Sequence, residues 1–121
     1  MDTKYGYPAK DWDEAKEEIR VILIEKAKNL SLLTYGDLCK KLTVIPFKPR
    51  LSALYEMLDQ IAEKEDDAKR GMLAAIVVAE ATMQPGDGFY TLAKKRGRDI
   101  SSKLKCWFEE LSQVWKYWRR N

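Results

Sequence analysis

The sequence predicts an α+β domain that is mainly helical: three helices, a β-hairpin and a long C-terminal helix. Three observations carry this. Apolar residues recur at helical spacing before residue 31, after Leu51 and again from Ile100 to Trp118. The run Met72–Ala79 (MLAAIVVA) is short, rich in β-branched residues and bounded by Gly71. Gln84-Pro85-Gly86-Asp87-Gly88 is dense turn chemistry ahead of Phe89-Tyr90-Thr91-Leu92. At 121 residues the chain fits one domain, 1–121, with a core over about 12–92 and the last helix over about 100–120.

The first helix is expected from about Trp12 to Lys28. Asp11 offers a cap, Glu14 follows three positions on, and Trp12, Ala15, Ile19, Ile22, Leu23 and Leu30 mark a buried stripe that Val21 and Ile24 widen. Thr34 and Asp37 repeat the cap-plus-acid pattern ahead of Leu38, Cys39 and Leu42, giving a short helix that ends near Lys41. Pro46 and Pro49 then force a turn. Leu51, Leu54, Tyr55, Leu58, Ile61 and Ala62 define the buried face of a third helix, which runs into the charged stretch Glu63–Arg70 and stops at Gly71. Met72–Ala79 reads as a buried strand, with a buried helical turn as its rival, and Phe89–Leu92 as the returning strand of a hairpin. After Gly97, the residues Ile100, Leu104, Trp107, Phe108, Leu111, Val114, Trp115 and Trp118 share one face of a terminal helix.

Composition narrows the chemistry. The chain has no histidine, which excludes a histidine general base, Ser-His and Cys-His pairs and any His-containing zinc site. Cys39 and Cys106 form no metal-ligand spacing, and no cofactor or metal is expected. No charged-then-apolar leader opens the sequence, so a reducing, cytoplasmic setting is expected. The longest apolar runs, Val21–Ile24 and Met72–Ala79, fall far short of a membrane span. Residues 94–121 hold nine Lys/Arg against three acids, a balance of +6 that leaves −3 for the first 93 residues of a chain at +3. Such asymmetry points to a polyanion or an acidic partner, and a solvated helix face produces the same pattern.

Helix, helix, helix, hairpin, helix is the plan of a winged helix, a helix-turn-helix variant whose wing is the hairpin, although the same elements also build α+β domains with no nucleic-acid role. Thr34-Tyr35-Gly36-Asp37-Leu38 resembles the motif that opens the helix-turn-helix of the O6-alkylguanine-DNA alkyltransferases and the alkyltransferase-like proteins. Arg50 stands where that family places the arginine heading its recognition helix. The family's reactive Pro-Cys-His-Arg-Val-Val is similar in position to Leu73-Ala74-Ala75-Ile76-Val77-Val78, followed by Pro85–Tyr90. The resemblance implies a winged-helix DNA-binding domain of bacterial type, with Tyr35 at the nucleotide phosphate and Arg50 filling the space of a flipped base. It also implies lost catalysis, because Ala74 and Ala75 stand where the family has its alkyl-accepting cysteine and activating histidine.

The expected nucleic-acid contacts are therefore Tyr35, Lys40, Lys41, Lys48, Arg50, Lys94, Lys95, Arg96 and Arg98, reaching phosphates from the helix-turn-helix and the wing. DNA is the expected partner, with RNA as the second nucleic acid, and no small-molecule substrate or membrane is expected. Against a recognition role for the third helix, its outer face carries Glu56, Asp59 and Glu63 with Gln60. The alternative is a protein-interaction module that docks through this acidic face or through Trp107, Trp115 and Trp118, a stripe that also reads as core or as a base-stacking platform. Glu63, Glu65, Asp66 and Asp67 suit Mg²⁺ as oxygen ligands, but beside Lys64, Lys69 and Arg70 they read as a solvated helix end.

Overall fold

The computed structural model describes residues 3–121 and is an α+β fold dominated by helices. A small antiparallel pair, β1 (Thr3–Lys4) and β2 (Tyr7–Pro8), leads into α1 (Ala9–Lys28). This helix starts three residues ahead of the predicted Trp12, because Pro8 holds the preceding backbone extended and Asp11 falls in the first turn, where it faces the positive end of the helix dipole. Trp12, Ala15, Ile19, Leu23 and Ala27 are buried at helical spacing. Val21, expected to widen that stripe, lies in solvent at 55% exposure. β3 (Leu33–Thr34) follows, and Thr34 caps α2 (Tyr35–Lys40) by accepting the Asp37 N–H at 3.1 Å.

The loop through Pro46 and Pro49 is fastened to α1 by Glu18, whose carboxylate accepts the Thr43 N–H at 2.9 Å and also the Thr43 hydroxyl. Phe47 drops from this loop onto Trp12, edge to face with ring centroids 6.2 Å apart. α3 (Ser52–Asp67) buries Leu54, Met57, Leu58, Ile61 and Ala62. It joins α1 through Trp12, whose indole N–H donates to Gln60 at 3.1 Å.

The predicted wing is not what forms. Met72–Ala79 splits into a 3₁₀ turn, Leu73–Ile76, and a two-residue strand, β4 (Val77–Val78), which pairs parallel with β3 instead of antiparallel with a returning strand. Phe89–Leu92 lies inside a helix, α4 (Asp87–Lys95). Gly86 is its N-cap, Asp87 occupies its first turn, and Gly97 at φ +89° follows its last residues, so residues that read as a tight turn are a helix start. A single antiparallel bridge, Ala79 to Gln84, closes the loop between β4 and α4.

α5 (Lys103–Arg120) begins under Ser102, whose hydroxyl accepts the Lys105 N–H, and packs against α1 and the 3₁₀ turn. Trp107, Leu111, Val114 and Trp118 are buried, while Leu104 and Phe108 of the predicted stripe are about half exposed. Gly71 allows close approach: at φ +88°, a Cβ there would stand 2.9 Å from the Val114 side chain.

The charged end of α3 is not a solvated face. Glu65 is completely buried, with its carboxylate held by Arg70 at 2.6 and 3.0 Å and by Arg20 of α1 at 3.3 Å. Asp66 takes Arg98 through two hydrogen bonds, at 2.6 and 2.8 Å, and Arg96 at 2.6 Å, and Arg96 also pairs with Asp67. Arg98 reaches on to buried Glu110 of α5 at 3.0 Å, and Glu110 in turn accepts the Met72 N–H at 2.7 Å. Removing Arg98 would take a guanidinium from two carboxylates at once, leaving buried Glu110 with no cation and Asp66 with Arg96 alone. Arg98→Ala is expected to lower the unfolding free energy by about 3 kcal/mol or more in urea titrations, and Arg98→Lys to restore only part of it, since an ammonium lacks the fork that engages both acids.

The Arg98 guanidinium, backed by Arg96, holds the Asp66 carboxyl at about 2, well below the ordinary value of 3.8. Its folded value lies below its unfolded one, so its contribution is complete above about pH 4 and is lost as the pH falls toward 2. Acid titration of the folded protein by circular dichroism should show stability falling across that window, and Asp66→Asn should flatten the fall.

Candidate functional site

A cleft of about 330 Å³ opens between the start of α2, the outer side of α3 and the start of α4. Its walls are Tyr35, Tyr55, Leu58, Asp59, Ala74 and the segment Gly86–Phe89. Each arrives for a local reason. Thr34 starts α2 so that Tyr35 is its first residue. Tyr55 and Asp59 are one turn apart on α3 and so share a face. Ala74 sits in the 3₁₀ turn, which the Trp107 indole N–H anchors by donating to the Ala75 carbonyl at 2.9 Å.

The two tyrosine rings meet at right angles, with centroids 5.6 Å apart and an interplanar angle of 87°. Tyr35 lies against the cap of α4: burial raises its hydroxyl pKa, partly offset by the neighbouring Gly86 backbone, which lowers it. Asp59 is half-buried and, among the described residues, makes no hydrogen bond or ion pair. Burial pushes its carboxyl up to about 6, Glu56 and Glu63 push it the same way, and Lys95 alone opposes them. A second, shallower groove adjoins the cleft, lined by Tyr90, Thr91, Lys94, Lys95, Ile100 and Lys103 and sharing Asp87 with it.

No family model, no curated protein and no solved structure matches this chain. What the site does must be read from its own residues.

The structure sorts the residues singled out in the sequence into three groups. Lys40 at the end of α2 and Lys41 at its C-cap, Lys48 and Arg50 ahead of α3, and Lys94 and Lys95 at the end of α4 are exposed, while Tyr35 lines the cleft. Arg96 and Arg98, expected to reach phosphates, are instead engaged by Asp66, Asp67 and Glu110. Trp107 and Trp118, expected as docking anchors, are buried in the core, and Trp115 is partly buried against it. Two residues of the site were misplaced by the helical pattern: Tyr55 reads as core yet is 41% exposed, and Asp59 reads as an outer-face carboxylate yet is drawn into the cleft. Their spacing by four on one helix was the available signal. Ala75, beside the cleft residue Ala74, is buried.

Neither thiol is poised for nucleophilic chemistry, since burial raises the pKa of both Cys39 and Cys106. Among the described residues no group of three potential ligands gathers in a way that would hold a metal ion.

Asp59 is charged at a cost. Its folded pKa lies above its unfolded one, so the penalty is full above about pH 6 and fades between pH 6 and 4. Asp59→Asn should therefore raise the unfolding midpoint at pH 7.5 and lose that advantage by pH 4, measured by thermal denaturation at both values.

Proposed function

We propose that the chain is a non-catalytic nucleic-acid-binding module that holds the phosphate backbone with its exposed cations and lodges a base in the aromatic cleft. The observation that carries this reading is the adjacency of two surfaces: the cleft walled by Tyr35 and Tyr55 opens beside the groove of Lys94, Lys95 and Lys103, with Asp87 common to both. Aromatic walls suit a flat base at any sequence, and flanking lysines suit the phosphates on either side of it. Lys40 at the end of α2, Lys41 at its C-cap, and Lys48 and Arg50 before α3 extend the cationic surface along the helix-turn-helix.

The resemblance to the alkyltransferase-like proteins supports the same reading, since Tyr35 of the shared motif and Ala74 at the reactive position line one cleft. The missing wing limits the likeness to the helix-turn-helix and the cleft. A protein-docking role through Trp107 and Trp118 has less support, because both rings pack inward.

Anisotropy titrations of duplex and single-stranded DNA at about 50 and 200 mM salt test this, because counterion release makes phosphate binding fall steeply with salt. The combined change Lys94→Ala, Lys95→Ala and Lys103→Ala should weaken binding and reduce the slope of log K against log salt by about 0.9 for each lysine facing a duplex phosphate. Lys26→Ala with Lys28→Ala, at the end of α1 and outside the set, should change neither. Absence of binding at the lower salt would overturn the proposal. Incubation with DNA carrying a labelled O6-alkylguanine should leave the protein unlabelled, and transfer of label would refute the non-catalytic half.

A further inference from the structure

The cleft holds a carboxylate, Asp59, that its aromatic walls alone do not explain. Its one carboxylate without a partner among the described residues is Asp59, half-buried in a cleft lined also by Tyr55, Leu58, Ala74 and the start of α4. A carboxylate withdrawn from water without a counter-ion is costly, and such a group persists where a ligand supplies the missing charge. The surroundings deepen the negative potential. Glu56 and Glu63 flank Asp59 on α3, Asp87 lines the wall contributed by α4, and Lys95 is the only cation near enough to shift its titration. The remaining titratable walls, Tyr35 and Tyr55, are neutral phenols whose rings attract cations.

We infer that the cleft selects a flat heteroaromatic ring in its cationic form, a base carrying an extra proton or an N-methyl group, seated in the corner of Tyr35 and Tyr55 with its charge against the Asp59 carboxylate. This rests on the nucleic-acid reading above and sharpens it: a neutral base gains only stacking, whereas a cationic one also gains the ion pair and the ring quadrupoles. The volume of about 330 Å³ lies at the small end of ligand pockets and suits a single base. A bare metal ion fits less well, because the cleft offers only the carboxylates of Asp59 and Asp87, the latter paired with Lys103, and no group of three potential ligands is found among the described residues.

The test compares 1-methyladenosine, whose ring is positively charged at neutral pH, with adenosine, nearly its equal in shape, using the intact protein and tyrosine and tryptophan fluorescence. At pH 7.5, 1-methyladenosine is expected to bind at least tenfold more tightly. The preference should shrink as the pH is lowered through about 6, where Asp59 takes up its proton. Asp59→Asn should abolish the preference, and Tyr55→Leu, at an exposed position, should weaken both nucleosides if the asparagine variant proves unsuitable. Equal binding of the two nucleosides, no binding of either, or a preference that survives Asp59→Asn overturns the inference. Binding of a trimethyl-lysine peptide with none of 1-methyladenosine overturns it too, in favour of a protein ligand. Nucleosides carry no phosphate, so the two proposals fail separately. Duplex binding without the nucleoside preference removes the cationic-base reading alone, and the preference without duplex binding removes the backbone-binding reading alone.

Discussion

Four arginines close the base of this fold by engaging carboxylates that, Asp67 excepted, are withdrawn from water. Arg70 and Arg20 hold Glu65, and Arg96 and Arg98 hold Asp66, with Asp67 and Glu110 completing the set. The partners come from α1, the end of α3 and the residues just after it, the link before α5 and α5 itself, so every pairing except Arg70 with Glu65 fixes the relation between segments distant in sequence. Buried ion pairs contribute little net stability over apolar packing, but they penalise every arrangement in which one member is left alone. Their effect here is to define a register. Glu110 illustrates it, because the same carboxylate that meets Arg98 also accepts the Met72 N–H, which sets where the 3₁₀ turn begins.

That turn carries the constraint to the cleft. Met72 fixed by Glu110 and Ala75 fixed by Trp107 leave Ala74 between them at the cleft wall, and β4 continues directly into its pairing with β3. β3 delivers Thr34, Thr34 caps α2, and the cap sets Tyr35 against Gly86 at the start of α4. The opening is thus assembled from short segments, of which the 3₁₀ turn is held to α5 by two hydrogen bonds and β3 to β4 by strand pairing. A cleft built this way keeps its shape without a lid, and its polar content is confined to Asp59 and the helix start. The cost of holding Asp59 there falls on folding, an arrangement typical of sites whose ligand supplies what the protein leaves out.

The sequence made the long helices legible and the short segments not. In α1 and α5, residues such as Ile19, Leu23, Leu111 and Val114 repeat over several turns, so a few exposed exceptions, Val21 and Phe108 among them, do not blur the period. Thr34 was readable because a side-chain cap is a local interaction. Met72–Ala79 was not, since eight apolar residues suit a strand or a buried turn equally, and only the partners Glu110, Trp107 and β3 decide between them. Pro85–Gly88 shows the same ambiguity: Gly86 and Asp87 satisfy a turn or a helix start, and the choice is made by Phe89, Tyr90, Leu92 and Ala93, which bury together only when helical. Of the cleft, Tyr35 was legible through its motif, whereas Asp59 is drawn inward by a packing of α3 against α4 that no local pattern records.

The division of cations follows from their chemistry and corrects the charge arithmetic of the sequence. Every cation in the buried pairings is an arginine, whose planar fork meets two carboxylate oxygens at once and sheds water more readily than an ammonium. The exposed cations around the cleft are lysines and Arg50. Two of the nine C-terminal cations, Arg96 and Arg98, are therefore neutralised within the fold, largely by Asp66 and Asp67 from the nominally acidic first part of the chain. The split into an acidic part and a basic part is in consequence milder on the surface than along the sequence. Near the cleft, what remains outward is the lysines of α2 and its cap and those around the groove of α4 and α5, beside a cleft that is itself acidic. A polyanion held by the lysines would meet, at the cleft, a site of opposite preference. On the proposed reading, phosphates would be kept out of the aromatic corner, and a base turned inward from the strand, above all a positively charged one, would be the part of a nucleotide that both surfaces accept together.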